Sequence, residues 1–97
     1  MIVRRDLPIG VICAQTIHAA GESSPGNLPP HTFAVALALP NEEAMLALET
    51  KLKRVGVKFV SIREDDFPYN GQLMAIGVVP QPKHQVKKYL QGIPLLK

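Results

Sequence analysis

Gln15, His18 and a run of acids at Glu64-Asp65-Asp66 are the residues in this chain whose types and spacing could do chemistry. Within Gly10 to Glu22 (GVICAQTIHAAGE) almost every residue is small or apolar, yet an amide, an imidazole and a final carboxylate interrupt the pattern. On helical geometry Val11, Gln15, His18 and Glu22 fall at i, i+4, i+7 and i+11 and share one stripe. Cys13, Ile17 and Ala20 lie on another. A helix apolar on most sides and polar along one line is expected to be buried, with that line facing a cleft. The second feature, Arg63-Glu-Asp-Asp-Phe-Pro-Tyr-Asn-Gly-Gln72, closes a strand with three acids and then turns. A carboxylate, an imidazole and an amide brought together can move a proton and hold a polar ligand. Taken singly, each has a plainer reading: acids at a strand end form a solvated turn, and a histidine on an apolar helix is a hydrogen-bonded packing residue.

Other chemistries find no handle. His18, His31 and His84 are widely separated and match no metal-ligand spacing, so no metal is expected. There is no GxGxxG or Walker pattern, and Gly10 between a strand and a helix is weak evidence for phosphate binding. Ser23, Ser24 and Ser61 sit in no nucleophile elbow. The single cysteine, Cys13, cannot form an internal disulfide and reads as a small buried hydrophobe on a helix. Net charge is +3, compatible with a polyanionic partner but not diagnostic of one. The basic residues group as Arg4 and Arg5, then Lys51, Lys53 and Arg54, then Arg63, then Lys83, Lys87 and Lys88.

These residues need elements to position them. The chain of 97 residues, 46% hydrophobic and 20% charged, has the size and composition of one small globular domain, residues 1–97. Its longest apolar run, Phe33 to Leu39, is seven residues, against the roughly 20 needed to cross a bilayer. No apolar stretch follows the charges of MIVRRDLP, so a cytoplasmic protein without a membrane partner is expected. Ile2 to Arg5 reads as a first strand, Gly10 to Gly21 as a helix stopped by its glycine, and Glu22 to His31, with three prolines, as a loop. Phe33 to Leu39 reads as a strand covered on both faces. Asn41 is a helix N-cap before Glu42 and Glu43, Met45, Leu48, Leu52 and Val55 repeat at helical spacing, and Gly56 ends that helix. Lys58 to Arg63 alternates with period two, Leu73 to Val79 is a last strand, and Pro82 opens a final helix. The order β-α-β-α-β-β-α predicts an α/β fold, a small mixed four-stranded sheet flanked by helices on both faces. Helix two between strands two and three suggests a parallel crossover. If strand three runs parallel to strand one, the acidic loop opens at the same carboxyl edge as Arg5-Asp6 and the start of helix one, where α/β sheets place ligands. Asp66, His18 and Gln15 would then meet.

Arg5-Asp6-Leu7-Pro8, followed by Gly10 and Ala14-Gln15-x-x-His18-Ala19-Ala20, resembles the opening of the type 2 peptidyl-tRNA hydrolases, which carry R-x-D-L and then G-K-x-A-A-Q-x-x-H-A-A. Val55-Gly56 resembles the end of that family's second crossover. Ala75-Ile76-Gly77, with Pro80 beyond and Leu95-Leu96 at the end, resembles its last strand and hydrophobic terminus. The resemblance implies a compact α/β domain, a homodimer among its partners, no cofactor, and hydrolysis of the ester joining a peptide to the 3′ end of tRNA. It implies a catalytic set of Asp66 (with Asp65 a near alternative), His18 and Gln15: the carboxylate orients or deprotonates a water, the amide holds the ester end or that water, and the imidazole positions its neighbours or donates a hydrogen bond. Arg5, Asp6, Gly10, Asp65, Asn70 and Gln72 are the implied substrate contacts, and the basic residues would meet tRNA phosphates in a salt-sensitive way. The family's lysine after the helix-one glycine is Val11 here, which removes a cation from a developing oxyanion. The turn after Asp66 is shorter than the family's, with Asn70 in the rough place of its threonine. Two other readings stand beside the enzyme: a non-catalytic relative that binds tRNA or a protein through the same cleft, and a small α/β ligand-binding module.

Overall fold

The computed structural model describes all 97 residues and has seven elements. They are β1 (Ile2–Arg4), α1 (Ile9–Ser23), β2 (Leu37–Leu39), α2 (Glu42–Val55), β3 (Phe59–Glu64), β4 (Gln72–Val78) and α3 (Lys83–Leu90). The strands form one mixed sheet in the order β2-β1-β4-β3. β1 pairs parallel with β2, and β4 pairs antiparallel with both β1 and β3. β1, β2 and β3 therefore run the same way, and their carboxyl ends share one edge of the sheet. β1-α1-β2 and β2-α2-β3 are both parallel crossovers, the second as expected; β2 and β3 lie at opposite sides of the sheet, so α2 carries the chain across the two strands between them.

The helices divide between the two faces. Val3, Leu7, Ile12, Ala19, Ile62, Met74 and Ala75 make a core under α1. Ile2, Met45, Leu48, Leu52, Val57, Leu73 and Ile76 make a second core under α2, with Val86, Tyr89 and Leu90 of α3 packed against it. One irregularity reconciles the two lists. The register passes from Ile62↔Ala75 to Arg63↔Leu73, so Met74 is an extra residue on β4. Met74 and Ala75 consequently both face α1, as a bulge requires.

α2 is the element whose local signals all agree. Asn41 Oδ1 accepts the Ala44 N–H at 3.0 Å, Glu42 and Glu43 occupy the first turn, Lys53 and Arg54 the last, and Gly56 adopts the left-handed conformation that a C-terminal cap favours. Replacing Asn41 by alanine is expected to remove about 1 kcal/mol of stability. That corresponds to a fall of roughly 4–8 °C in the midpoint of a thermal melt for a domain of this size.

Three local expectations are corrected. The strand expected over Phe33 to Leu39 contracts to Leu37–Leu39 because its partner β1 spans only Ile2–Arg4. Phe33, 82% exposed, lies outside the sheet. α1 runs past Gly21 to Ser23, and Pro25 disfavours helical geometry at the extended Ser24 that ends it. Cys13 is exposed rather than buried, on an outer stripe with Ile9 and Ile17. The face of α1 that meets the sheet is Ile12, Gln15, Ala19 and Ser23.

Candidate functional site

At the carboxyl edge the first fixed group is Arg4, the last residue of β1. Its buried guanidinium donates twice to Asp6, at 2.9 Å each, once to Gln72 Oε1 at 2.9 Å and once to the Leu73 carbonyl at 3.3 Å. The hydrogen bonds from Arg4 hold the Asp6 carboxyl below its ordinary range, against the opposing effect of burial. Glu42, at the start of α2, accepts the Leu73 N–H at 2.8 Å. Asp6 and Gln72, expected as substrate contacts, thus help hold Arg4 in place. Arg5 points elsewhere and is exposed, with Nη2 3.5 Å from the Leu95 carbonyl.

The second group joins α1 to β3. Gln15, only 8% exposed, directs Nε2 to Glu64 Oε2 at 3.5 Å, and its buried Oε1 has no hydrogen-bond partner. Glu64 Oε1 accepts the backbone N–H of Asp66 at 3.1 Å. The period-two alternation of β3 explains why Glu64 is the carboxylate that Gln15 meets. Ser61 and Arg63 bond Glu49 of α2 on one face, while Ile62 packs under α1 on the other. Glu64, two residues after Ile62, continues the α1 side. Asp66 lies beyond the strand, exposed, and its carbonyl accepts from Tyr69 and Asn70 in the closing turn.

His18 is half-exposed, with Nε2 3.5 Å from Glu22 Oε1. These two residues and Val60, Ser61, Ile62 and Arg63 line an open groove of about 370 Å³ along β3. Asp66 does not line it, so the structure brings Gln15 to Glu64 and His18 to the β3 groove, without gathering His18, Gln15 and Asp66 around one point. Asp65 is exposed beside Asp66. Asn70 takes a left-handed conformation (φ 49°) beside Gly71 (φ 89°), closing the β3–β4 turn, and its Nδ2 donates to the Pro68 carbonyl at 3.3 Å. Gly10 is exposed, and a Cβ added there would meet nothing within 4 Å, so no close backbone approach requires glycine at that position. Val11, in the place of the family lysine, packs against the core under α1.

A third polar group, Glu49–Ser61–Arg63, was not singled out by motif. Glu49 is 6% exposed and holds Arg63 through two hydrogen bonds of 2.9 Å. Helical spacing contained the signal, because Glu49 falls among Met45, Leu48 and Leu52 on the inward face of α2. No group of three or more His, Cys, Asp or Glu side chains is placed to hold a metal ion. No helix is long and apolar enough to cross a membrane.

The fold and the site define an α/β protein with a mixed four-stranded sheet and a polar cluster at the carboxyl edge of its three like-directed strands. In comparisons with known proteins, the chain matches no family model and no curated sequence.

Proposed function

We propose that the protein hydrolyses the ester between a peptide and the 3′ end of tRNA, as the resemblance of its first helix to the type 2 peptidyl-tRNA hydrolases implies. The observation that supports this reading is the buried Gln15 amide directed at the Glu64 carboxylate at the carboxyl edge, 3.5 Å away. It sets an N–H donor beside a carboxylate that can take a proton, the pairing that ester hydrolysis uses. Glu64 takes the role given to Asp66 on resemblance. Its carboxylate accepts a proton from water as the water oxygen bonds to the ester carbonyl. The second N–H of Gln15 donates to the developing oxyanion. Collapse breaks the bond to the 3′ oxygen, which takes up the proton that Glu64 received from water, leaving a free peptide acid, tRNA and the Glu64 carboxylate restored. His18, one turn along α1, positions the ester at the mouth of the groove.

The test is incubation of purified, folded protein with peptidyl-tRNA while the release of free tRNA is followed. Turnover is expected, with Glu64→Gln slowing it at least 100-fold, the ordinary scale of a general base, and Asp66→Asn changing it less than threefold. A strong loss in Asp66→Asn with Glu64→Gln active would return the role to Asp66. Folded protein that shows no turnover would replace the enzyme by the second reading, a non-catalytic relative that binds the RNA. Val11 favours that second reading, since a partly buried apolar side chain packed against the core stands where the family carries a lysine.

A further inference from the structure

The acids of this protein are concentrated at one end, where Arg4, Arg5 and Arg63 also lie, Arg4 and Arg63 each paired with an acid. Six of its eight acids lie at the carboxyl edge: Asp6 after β1, Glu42 and Glu43 at the start of α2, and Glu64, Asp65 and Asp66 at the end of β3. At the opposite end, the second half of α2 and the approach to β3 carry Lys51, Lys53, Arg54 and Lys58. α3 adds Lys83, Lys87 and Lys88. All seven of these cations are exposed, and none is among the ion pairs, which join Arg4 to Asp6, His18 to Glu22 and Arg63 to Glu49. No acid occurs between Thr50 and Arg63 or after Asp66.

Contacts bring Lys51, Lys58 and Lys88 to the junction of α2 and α3. Gln81 accepts from the Lys58 N–H and donates to the Lys58 carbonyl at 2.8 Å, which fixes the approach to α3 against the start of β3. The Lys51 and Lys88 ammonium groups lie 5.8 and 5.1 Å from the centre of the same Tyr89 ring. Between the helices is a groove of about 360 Å³ lined by residues that include Val55, Gln81, His84, Lys88 and Tyr89. Helix dipoles account for Lys53, Arg54, Lys87 and Lys88, which occupy last turns. They do not account for Lys51, Lys58 or Lys83, nor for the missing acids.

We infer that this α2–α3 end is the surface that docks the phosphate backbone of RNA. It stands about 20 Å, the length of α2, from the acidic edge. A polyanion is attracted to an unpaired cluster of this kind and repelled by the edge that holds Glu64. The body of an RNA therefore binds the basic end, and only its terminus reaches toward the acids. The choice of RNA among polyanions rests on the function proposed above; the location rests on the charge distribution alone.

The probe is a fluorescein-labelled RNA stem-loop with a single-stranded CCA end and no ester, titrated by anisotropy over a range of salt. Lys51→Glu/Lys58→Glu/Lys83→Glu avoids the helix last turns, and its folding is checked by thermal melting. The Gln triple replaces it if the Glu triple does not fold. Affinity is expected to fall at least tenfold at low salt, and the slope of log K against log salt to flatten by about two. Unchanged affinity and slope in the folded variant would overturn the inference, as would loss of binding on Arg5→Glu instead. Wild-type protein that ignores the RNA but binds phosphatidylserine vesicles would overturn RNA as the occupant. Because the probe carries no ester, loss of binding in the triple variant supports this surface even where peptidyl-tRNA is not cleaved.

Discussion

Gly77→Ala is expected to destabilise the protein by about 3 kcal/mol, near the upper end of what overpacking a core does. For a domain of this size that lowers the thermal midpoint by more than about 10 °C. Gly77 lies in β4 where α1 crosses closest. A Cβ there would collide with the Ala19 carbonyl oxygen and stand 2.8 and 2.9 Å from Ser23 Oγ and Cβ. The first obstacle is helix backbone and cannot rotate away, so α1 must lift from the sheet. Ala19 is fully buried and Ser23 nearly so, and both would be uncovered. Lifting α1 also draws Gln15 from Glu64, so any activity at that pair should fall with the melting temperature. Gly21→Ala is the control, since its added Cβ meets nothing within 4 Å. There the same substitution lies in a helix and is expected to stabilise by up to about 1 kcal/mol. A Gly77→Ala protein that melts with the wild type would mean that α1 is not seated on β4 as described.

What the amino-acid sequence made legible depended on whether a feature was decided locally. Asn41, the acids after it, the Met45-Leu48-Leu52 spacing and Gly56 all concern one helix, and α2 forms with the expected ends. Phe33 to Leu39 looks like a strand in itself, but a strand exists only where a partner runs beside it, and β1 offers three residues. The same distinction governs the site. Gln15 was identifiable as an amide in an apolar helix, and its burial against the sheet gives that oddity a physical meaning. Which of Glu64, Asp65 and Asp66 meets Gln15 depends on where β3 ends and which face each residue takes. Alternation from Ile62 points to Glu64, whereas motif matching points two residues further on. Cys13 misled for a related reason: an apolar stripe does not say which side of a helix the sheet will cover, and the covered side here includes Gln15 and Ser23.

Glu49→Gln is expected to remove about 2 kcal/mol at neutral pH, and the loss should shrink as the solution is acidified. The Glu49 carboxylate is almost wholly buried and accepts two hydrogen bonds from Arg63 and one from Ser61. Charged hydrogen bonds of this kind contribute about 1.5–3 kcal/mol each when broken singly. The Arg63 side chain is 42% exposed and can return to water, which keeps the estimate well below the sum. The hydrogen bonds from Arg63 hold the Glu49 carboxyl below its ordinary value of 4.5; desolvation opposes them, and Ser61 adds to them. Because the folded protein binds the Glu49 proton less tightly than the unfolded chain, the stabilisation is fully present above about pH 4.5 and is lost as pH falls through the lower folded value. Asp6, beside Arg4, titrates with the same sign, so wild-type acid lability alone does not isolate Glu49. The difference in unfolding free energy between wild type and Glu49→Gln, measured by urea denaturation from neutral pH downward, does isolate it, since Asp6 is common to both. That difference should hold constant above the ordinary glutamate range and narrow below it. A difference independent of pH would show that Glu49 contributes through packing alone, and one that widened on acidification would mean that its carboxyl is protonated in the folded protein.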